Sequence, residues 1–193
     1  APVWLSRMTY TGDLGYEIWC APEYQRSLFD AIWEAGQPFG MGLFGFRALI
    51  TMRLEKNFGT WFREYRPIYT PLEAGMERSL RFDHEFIGRA AVEAERDGGG
   101  PARRLVMFRV EVDPDAPADC IGDEPVWRGG EVIGWVTSGG YAHYSQASLA
   151  WGYIPTGQVD SAADYEIEII GRRRPARLQL QPILDPEGIR MRA

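Results

Sequence analysis

After Gly98-Gly99-Gly100-Pro101 the hydrophobic pattern of this chain changes its period, and that change limits the folds open to it. Before the glycines, apolar residues recur every three or four positions; beyond them they alternate, as in strands with one buried face. Leu105 and Met107 oppose Val106, Phe108 and Val110, while Tyr165, Ile167 and Ile169 alternate with Glu166 and Glu168. Arg128-Gly129-Gly130-Glu131 reads as a two-residue hairpin between Pro125-Val126-Trp127 and Val132-Ile133-Gly134-Trp135-Val136. Arg177-Leu178-Gln179-Leu180 gives a last strand. Some six short strands with turn signals between them make either a small closed barrel or a sandwich. Glycines with nothing to pack, stopped by a proline, read as a linker. We place the boundary there, with residues 1–98 on one side and 101–193 on the other.

The first part opens on a functional clue. In Thr9-Tyr10-Thr11-Gly12-Asp13-Leu14-Gly15-Tyr16-Glu17-Ile18, a strand from about Val3 and a return strand over Tyr16 to Cys20 flank a hairpin-type turn. The turn spans Gly12 to Gly15, and its glycines are expected to take positive φ. Glu17 stands beside the apolar run Ile18-Trp19-Cys20. Such a carboxylate is either solvated at a sheet edge or turned into a cleft with Tyr10. In the cleft it could accept two hydrogen bonds from a planar N–H/NH2 edge, such as that of a pterin or a guanine.

A helix is expected over 22–35, with Pro22 in its first turn, a core-facing stripe of Tyr24, Leu28, Ile32 and Ala35 widened by Phe29 and Trp33, and Gly36 as its stop. A second covers Arg47 to Lys56, with Leu49, Met52 and Phe46 facing the core. Asn57 to Pro71 has neither period and reads as an irregular aromatic loop, pinned through Trp61 and Tyr65.

Composition narrows the chemistry. At 193 residues, 45% of them hydrophobic, the chain can bury a substantial core. A net charge of −6 and a pI near 5.1 argue against a nucleic-acid partner, and Arg172-Arg173-Arg174 is too short to reverse that. No apolar run is long enough to span a membrane, and Ala-Pro-Val-Trp is no signal peptide. A start without Met, directly at a strand, is expected of a piece of something longer. Cys20 and Cys120 form neither a disulfide framework nor a metal spacing and point to a reducing compartment. His84 and His143 lack partners at ligand spacing, so no metal is expected. Ser138 and Ser145 lie near His143 without a nucleophile-elbow pattern, and Asp13 is explained by its turn.

Several segments, in order, resemble the aminomethyltransferase family: the glycine cleavage T-protein and the folate-binding regions of dimethylglycine and sarcosine dehydrogenases. TYTGDLGYEI is similar to its Y-x-G-E-x-G-[YFW]-E-[IL] segment, and GFRALITMRLEK to G-x-x-A-x-x-S-L-R-L-E. Thr70-Pro71-Leu72-Glu73-Ala74-Gly75-Met76 resembles the family's T-P-x-E turn and strand, and Phe86-Ile87-Gly88-Arg89 its F-I-G-[RK] segment ahead of a short helix. IGWVTSGG and LAWGYI carry its barrel mark.

The resemblance implies an α+β fold: the second half of an antiparallel-sheet folate-binding domain with flanking helices, then a small C-terminal β-barrel. It implies tetrahydrofolate as cofactor, with Tyr10, Glu17 and Phe58 as folate contacts and Glu17 on the pterin. It implies no catalytic residue in this chain, because the family's proton-handling aspartate lies in the half that precedes it. A flavoprotein domain with FAD upstream, a methylated glycine or other aminomethyl donor as substrate, and a bacterial cytoplasm or mitochondrial matrix location are implied as well. Lys56 after Glu55 matches the dehydrogenases rather than the T-proteins. Leu49 stands where T-proteins have a folate-contacting arginine, and Arg78 where they have a tryptophan. A folate-dependent sulfonium demethylase would show the same contacts. The iron-sulfur-assembly members carry a K-G-C-[FY] cysteine that Lys56-Asn57-Phe58 lacks.

Overall fold

Six of the eight strands in the computed structural model, which describes residues 1–192, lie beyond the glycine run. They are β3 (Arg103–Val110), β4 (Pro125–Arg128), β5 (Glu131–Ala142), β6 (Ala147–Pro155), β7 (Tyr165–Ile169) and β8 (Arg172–Gln179). They pair antiparallel in the order β3-β6-β5-β4-β7-β8, and β8 returns to β3, so the sheet closes into a barrel and not a sandwich. Closure leaves no edge strand with unpaired backbone groups. Gly129 and Gly130 make the β4–β5 turn at φ of +60° and +87°, the double positive φ that a two-residue hairpin asks for.

The barrel has two apolar faces. Phe108, Val126, Val136, Ala150, Ile154, Tyr165 and Ile167 fill its interior. Met107, Leu149 and Trp151, one position out of phase, form a second cluster outside it with Leu54. Both faces of β6 are therefore covered, and eight of its nine residues are buried. The arginine cluster proves to be the start of β8: Arg174 points inward and donates to Ala116 O, while Arg173 lies over the Trp127 ring at 3.5 Å.

Before the glycines lie β1 (Val3–Ser6), β2 (Glu17–Cys20), α1 (Gln25–Gly36), α2 (Phe46–Glu55) and α3 (Arg89–Asp97); α4 (Ile189–Arg192) ends the described chain. The link between β1 and β2 is a long loop over 7–16 rather than a tight turn, and of its two glycines only Gly12 has positive φ, at +94°. α1 ends at Gly36, as expected, but Gly36 keeps right-handed helical backbone and a 3-10 turn, Gln37–Phe39, carries the chain on to Gly40, where φ turns positive at +71°.

The expected core stripe of α1 is only partly covered: Leu28, Ile32 and Trp33 are half-buried, and Tyr24 and Phe29 are exposed. No residue of that helix is buried, and Phe29 stacks on Trp33 of its own helix at 6.2 Å. Helical period reports that one side is apolar, not what covers it. Likewise Trp61 is exposed and only Tyr65 of the aromatic loop's two expected pins is half-buried. The Thr70 to Met76 segment forms turns and no strand.

Helix α2 differs most from expectation. Phe46 is exposed, Leu49 and Met52 are half-buried, and the fully buried residues are Arg53, Leu54 and Glu55. The reason is chemical. The helix ends in a polar layer between the aromatic loop and the barrel, where both charged side chains find partners.

Gly98 and Gly100 terminate α3 by donating to Ala94 O and Glu95 O. Contacts then join the segments on either side. Leu105 N donates to Glu73 O, Arg103 pairs with Glu73 at 2.9 Å, and the Tyr69 ring stacks on Tyr153 at 3.9 Å.

Candidate functional site

Tyr10 comes from the loop between β1 and β2, and Phe58 from the turn after α2. Their rings lie nearly parallel, 14° apart, with centroids separated by 6.2 Å. The Tyr10 hydroxyl donates to Gly59 O at 2.9 Å. Burial raises its pKa, with Arg53 opposing, so it remains a protonated donor at neutral pH.

Glu17 opens β2 opposite Ser6 and is half-buried. Among the described residues its carboxylate has neither a hydrogen-bond nor an ion-pair partner. The structure thus brings Tyr10 and Phe58 together, while no hydrogen bond joins Glu17 to either. Two parallel ring faces and a half-buried, partnerless carboxylate on the same hairpin as Tyr10 fit a flat ligand with an N–H/NH2 edge. Trp61 and Phe62 are exposed on the same aromatic loop as Phe58, with Trp61 edge-on to Tyr65.

The loop from 57 to 65 is held by residues that periodicity does not single out. Glu64, with no exposed surface, accepts at Oε2 from Arg53 Nη1 (3.1 Å), Thr60 N (2.9 Å) and Thr60 Oγ1 (3.0 Å). Its Oε1 accepts from Thr137 Oγ1 (2.7 Å) and Ser138 Oγ (2.5 Å) on β5. Arg53 Nη1 also donates to Phe58 O at 3.1 Å, while its Nε is buried without a partner. Gly59 packs against Tyr65, whose ring a Cβ there would approach to 2.4 Å. The only signal available was faint, because Arg53 is one of several charges in α2 and Glu64 stands between Arg63 and Arg66 in the loop.

A second polar cluster ties down the loop that carries Tyr10. The Lys56 side chain runs beneath Gly12, where a Cβ would lie 2.5 Å from Lys56 Cγ, and its Nζ donates to Asp185 O and Oδ2. Arg190 pairs with Asp13 at 2.6 Å and lies over Tyr144. Asp13 is accordingly a tie to the C-terminal segment. The two serines near His143 and the histidine itself are engaged as well: Ser138 serves Glu64, Ser145 donates to Glu55, and His143 rests its ring on Tyr141.

Burial alone would raise the Asp185 carboxyl, but the Ile189 N–H, the Lys56 ammonium and the Arg190 N–H together hold it below the ordinary value. A depressed folded-state pKa stabilises the fold above the unfolded value, about 3.9, and that contribution disappears as pH falls through the lower folded value. Amide exchange at Ile189 and Arg190 is therefore expected to be slow at neutral pH, after correction for intrinsic rates, and to lose its protection only as the pH falls below the ordinary carboxylate range and through the lower folded value. Protection unchanged down to the pH at which the barrel itself unfolds would show that this carboxylate does not hold the segment.

Comparison with known proteins gives a consistent result. Residues 1–84 match the GCVT N-terminal domain and residues 103–185 the glycine cleavage T-protein C-terminal barrel domain. Over 193 residues the chain is 37% identical to mitochondrial dimethylglycine dehydrogenase of Mus musculus, covering 99% of this chain and 22% of that protein. It is 32% identical over 200 residues to mitochondrial sarcosine dehydrogenase of Homo sapiens, covering 96% and 21% respectively. Aminomethyltransferase of Symbiobacterium thermophilum is 33% identical over 180 residues, 92% of this chain and 47% of that one. The chain thus spans less than half the length of each of these relatives. The crystal structure of glycine cleavage system aminomethyltransferase T from Bartonella henselae shares the fold, with a TM-score of 0.82 at 22% identity over 94% of this chain and 50% of that one.

Proposed function

Because both parts of the chain belong to the glycine cleavage T-protein family, we propose that it supplies the second wall and the cap of a tetrahydrofolate site in a longer one-carbon transferase. The observation that carries this reading is the stacked Tyr10–Phe58 pair, whose Tyr10 shares a hairpin with a half-buried carboxylate that no described residue engages. In this role the two rings offer a flat face to the folate ring system, and Glu17 accepts from its N–H/NH2 edge. Bound folate supplies the one-carbon acceptor, and these side chains orient it.

The length and names of the relatives favour a parent in which this chain follows a flavin dehydrogenase acting on methylated glycines, with FAD in that other part. The parent would work in a bacterial cytoplasm or a mitochondrial matrix. Residues 1–98 are the folate-facing part in this reading, and 101–193 the barrel that backs it.

Orientation lowers the entropic part of a barrier but does not move a proton. The isolated chain is therefore expected to bind tetrahydrofolate weakly and to catalyse no one-carbon transfer. The test is a titration of the chain with tetrahydrofolate, followed by NMR at Tyr10, Glu17 and Phe58, beside a transfer assay. Shifts confined to these residues, without turnover, are expected. Absence of any shift at millimolar ligand overturns the folate site, and turnover near that of the parent enzyme overturns the division of roles.

A further inference from the structure

Neighbouring residues of a strand point to opposite faces, yet Thr137 and Ser138 of β5 both reach the same carboxylate oxygen, Glu64 Oε1. A β-bulge makes this possible. The register of β5 against β6 passes from Val136↔Gly152 to Ser138↔Trp151, so that Thr137 is the extra residue. Thr137 Oγ1 lies 2.7 Å from Glu64 Oε1 and 2.9 Å from Trp151 O, and its single proton is shared between them. Bulges re-aim side chains, and this one aims two hydroxyls at one acceptor.

On its other side Glu64 Oε2 holds Arg53 and both donors of Thr60. Arg53 in turn holds Phe58 O, and Phe58 N donates to Arg53 O. The Tyr10 hydroxyl bonds to the next carbonyl, Gly59 O. Tyr153 of β6 donates to Glu64 O at 2.8 Å, a second tie from the barrel to the same residue. Every step from the bulge to the Tyr10–Phe58 pair is a hydrogen bond, and the carboxylate at its centre is excluded from solvent.

We propose that Glu64 is the positioning residue of the folate site: it links the bulged hydroxyls of the barrel to the loop bearing Phe58 and Gly59, so that the Tyr10–Phe58 platform forms only on a docked barrel. The inference rests on the folate reading for its ligand, though not for its geometry. It gives the barrel a role in binding although the three expected contact residues, Tyr10, Glu17 and Phe58, all lie before it.

The test perturbs the barrel end of the chain of contacts and reads the far end. Thr137→Val removes the hydroxyl with little change of shape, and Thr137→Ser keeps it. For Thr137→Val we expect about fivefold weaker tetrahydrofolate binding, the effect of one lost buried hydrogen bond. We also expect faster amide exchange at Phe58, with protection kept at Val126 and Ile167 inside the barrel. Thr137→Ser should restore both. Combined with Tyr10→Phe, Thr137→Val should cost less than the product of the two single losses, since independent sites multiply and coupled ones do not.

Wild-type exchange at Phe58 in Thr137→Val overturns the proposal, as do losses that simply multiply. If Tyr10→Phe and Glu17→Gln leave tetrahydrofolate affinity unchanged, the folate reading fails instead, and exchange at Phe58 alone decides the positioning role. Should Thr137→Val not fold, Ser138→Ala, which leaves Thr137 in place, is measured the same way with the same outcomes.

Discussion

Glu64→Ala is expected to lower the stability of the chain by about 3–5 kcal/mol, the range for breaking a buried ion pair from one side. Such a loss is a large fraction of the roughly 5–15 kcal/mol that holds a typical domain. Arg53, only 2% exposed, would keep its charge with its Nε already lacking a partner. Thr60, Thr137 and Ser138 would lose an acceptor in the same layer. Removing both charges, as in Arg53→Met with Glu64→Leu, should be milder, because the cost arises from the orphaned partner rather than from the absence of the pair. Urea denaturation gives the comparison through the midpoint at unchanged slope. A loss below about 1 kcal/mol for Glu64→Ala, the level of an exposed pair, would show that the layer is wet.

Glu17→Gln is expected to behave in the opposite way, leaving stability within about 0.5 kcal/mol and weakening tetrahydrofolate binding by roughly tenfold to 150-fold. The Glu17 carboxylate makes no hydrogen bond or ion pair among the described residues, so its exchange costs the fold little. In the proposed site it would accept from the pterin's N–H/NH2 edge. Glutamine preserves the shape, replaces one acceptor by a donor and removes the charge, a loss of about 1.5–3 kcal/mol for a charge-assisted hydrogen bond. Calorimetry with tetrahydrofolate on the protein in its full natural length, against the wild type, is the measurement. Equal affinities would remove Glu17 from the site, and a large fall in melting temperature would mean that the carboxylate is structural after all.

These two residues mark what was and was not legible. Glu17 and Tyr10 stand out in the sequence because a motif carries them and because a carboxylate beside Ile18-Trp19-Cys20 is conspicuous. Glu64 does not, for it lies in an aperiodic run where a charge is unremarkable. Its partners Thr137 and Ser138 lie 73 and 74 residues away. Lys56 presents the same case. The sequence shows it as a departure from the T-protein pattern, whereas its use, passing under Gly12 to Asp185, depends on a contact across 129 residues.

What the sequence determined by itself is therefore local or repeated: the family, the α+β class, the alternation of β7 and the glycine turn between β4 and β5. Each follows from a run of matched motifs, from backbone sterics or from a period that only one kind of element satisfies. What the tertiary structure decided is which faces are covered and which charges are buried. It closed the sheet into a barrel, buried both faces of β6 and the charged end of α2, and left the apolar stripe of α1 only half-covered. The physical reason is that periodicity reports which side of an element is apolar, whereas burial of a polar side chain is permitted only where distant partners satisfy it. Those partners come together only when the chain has folded.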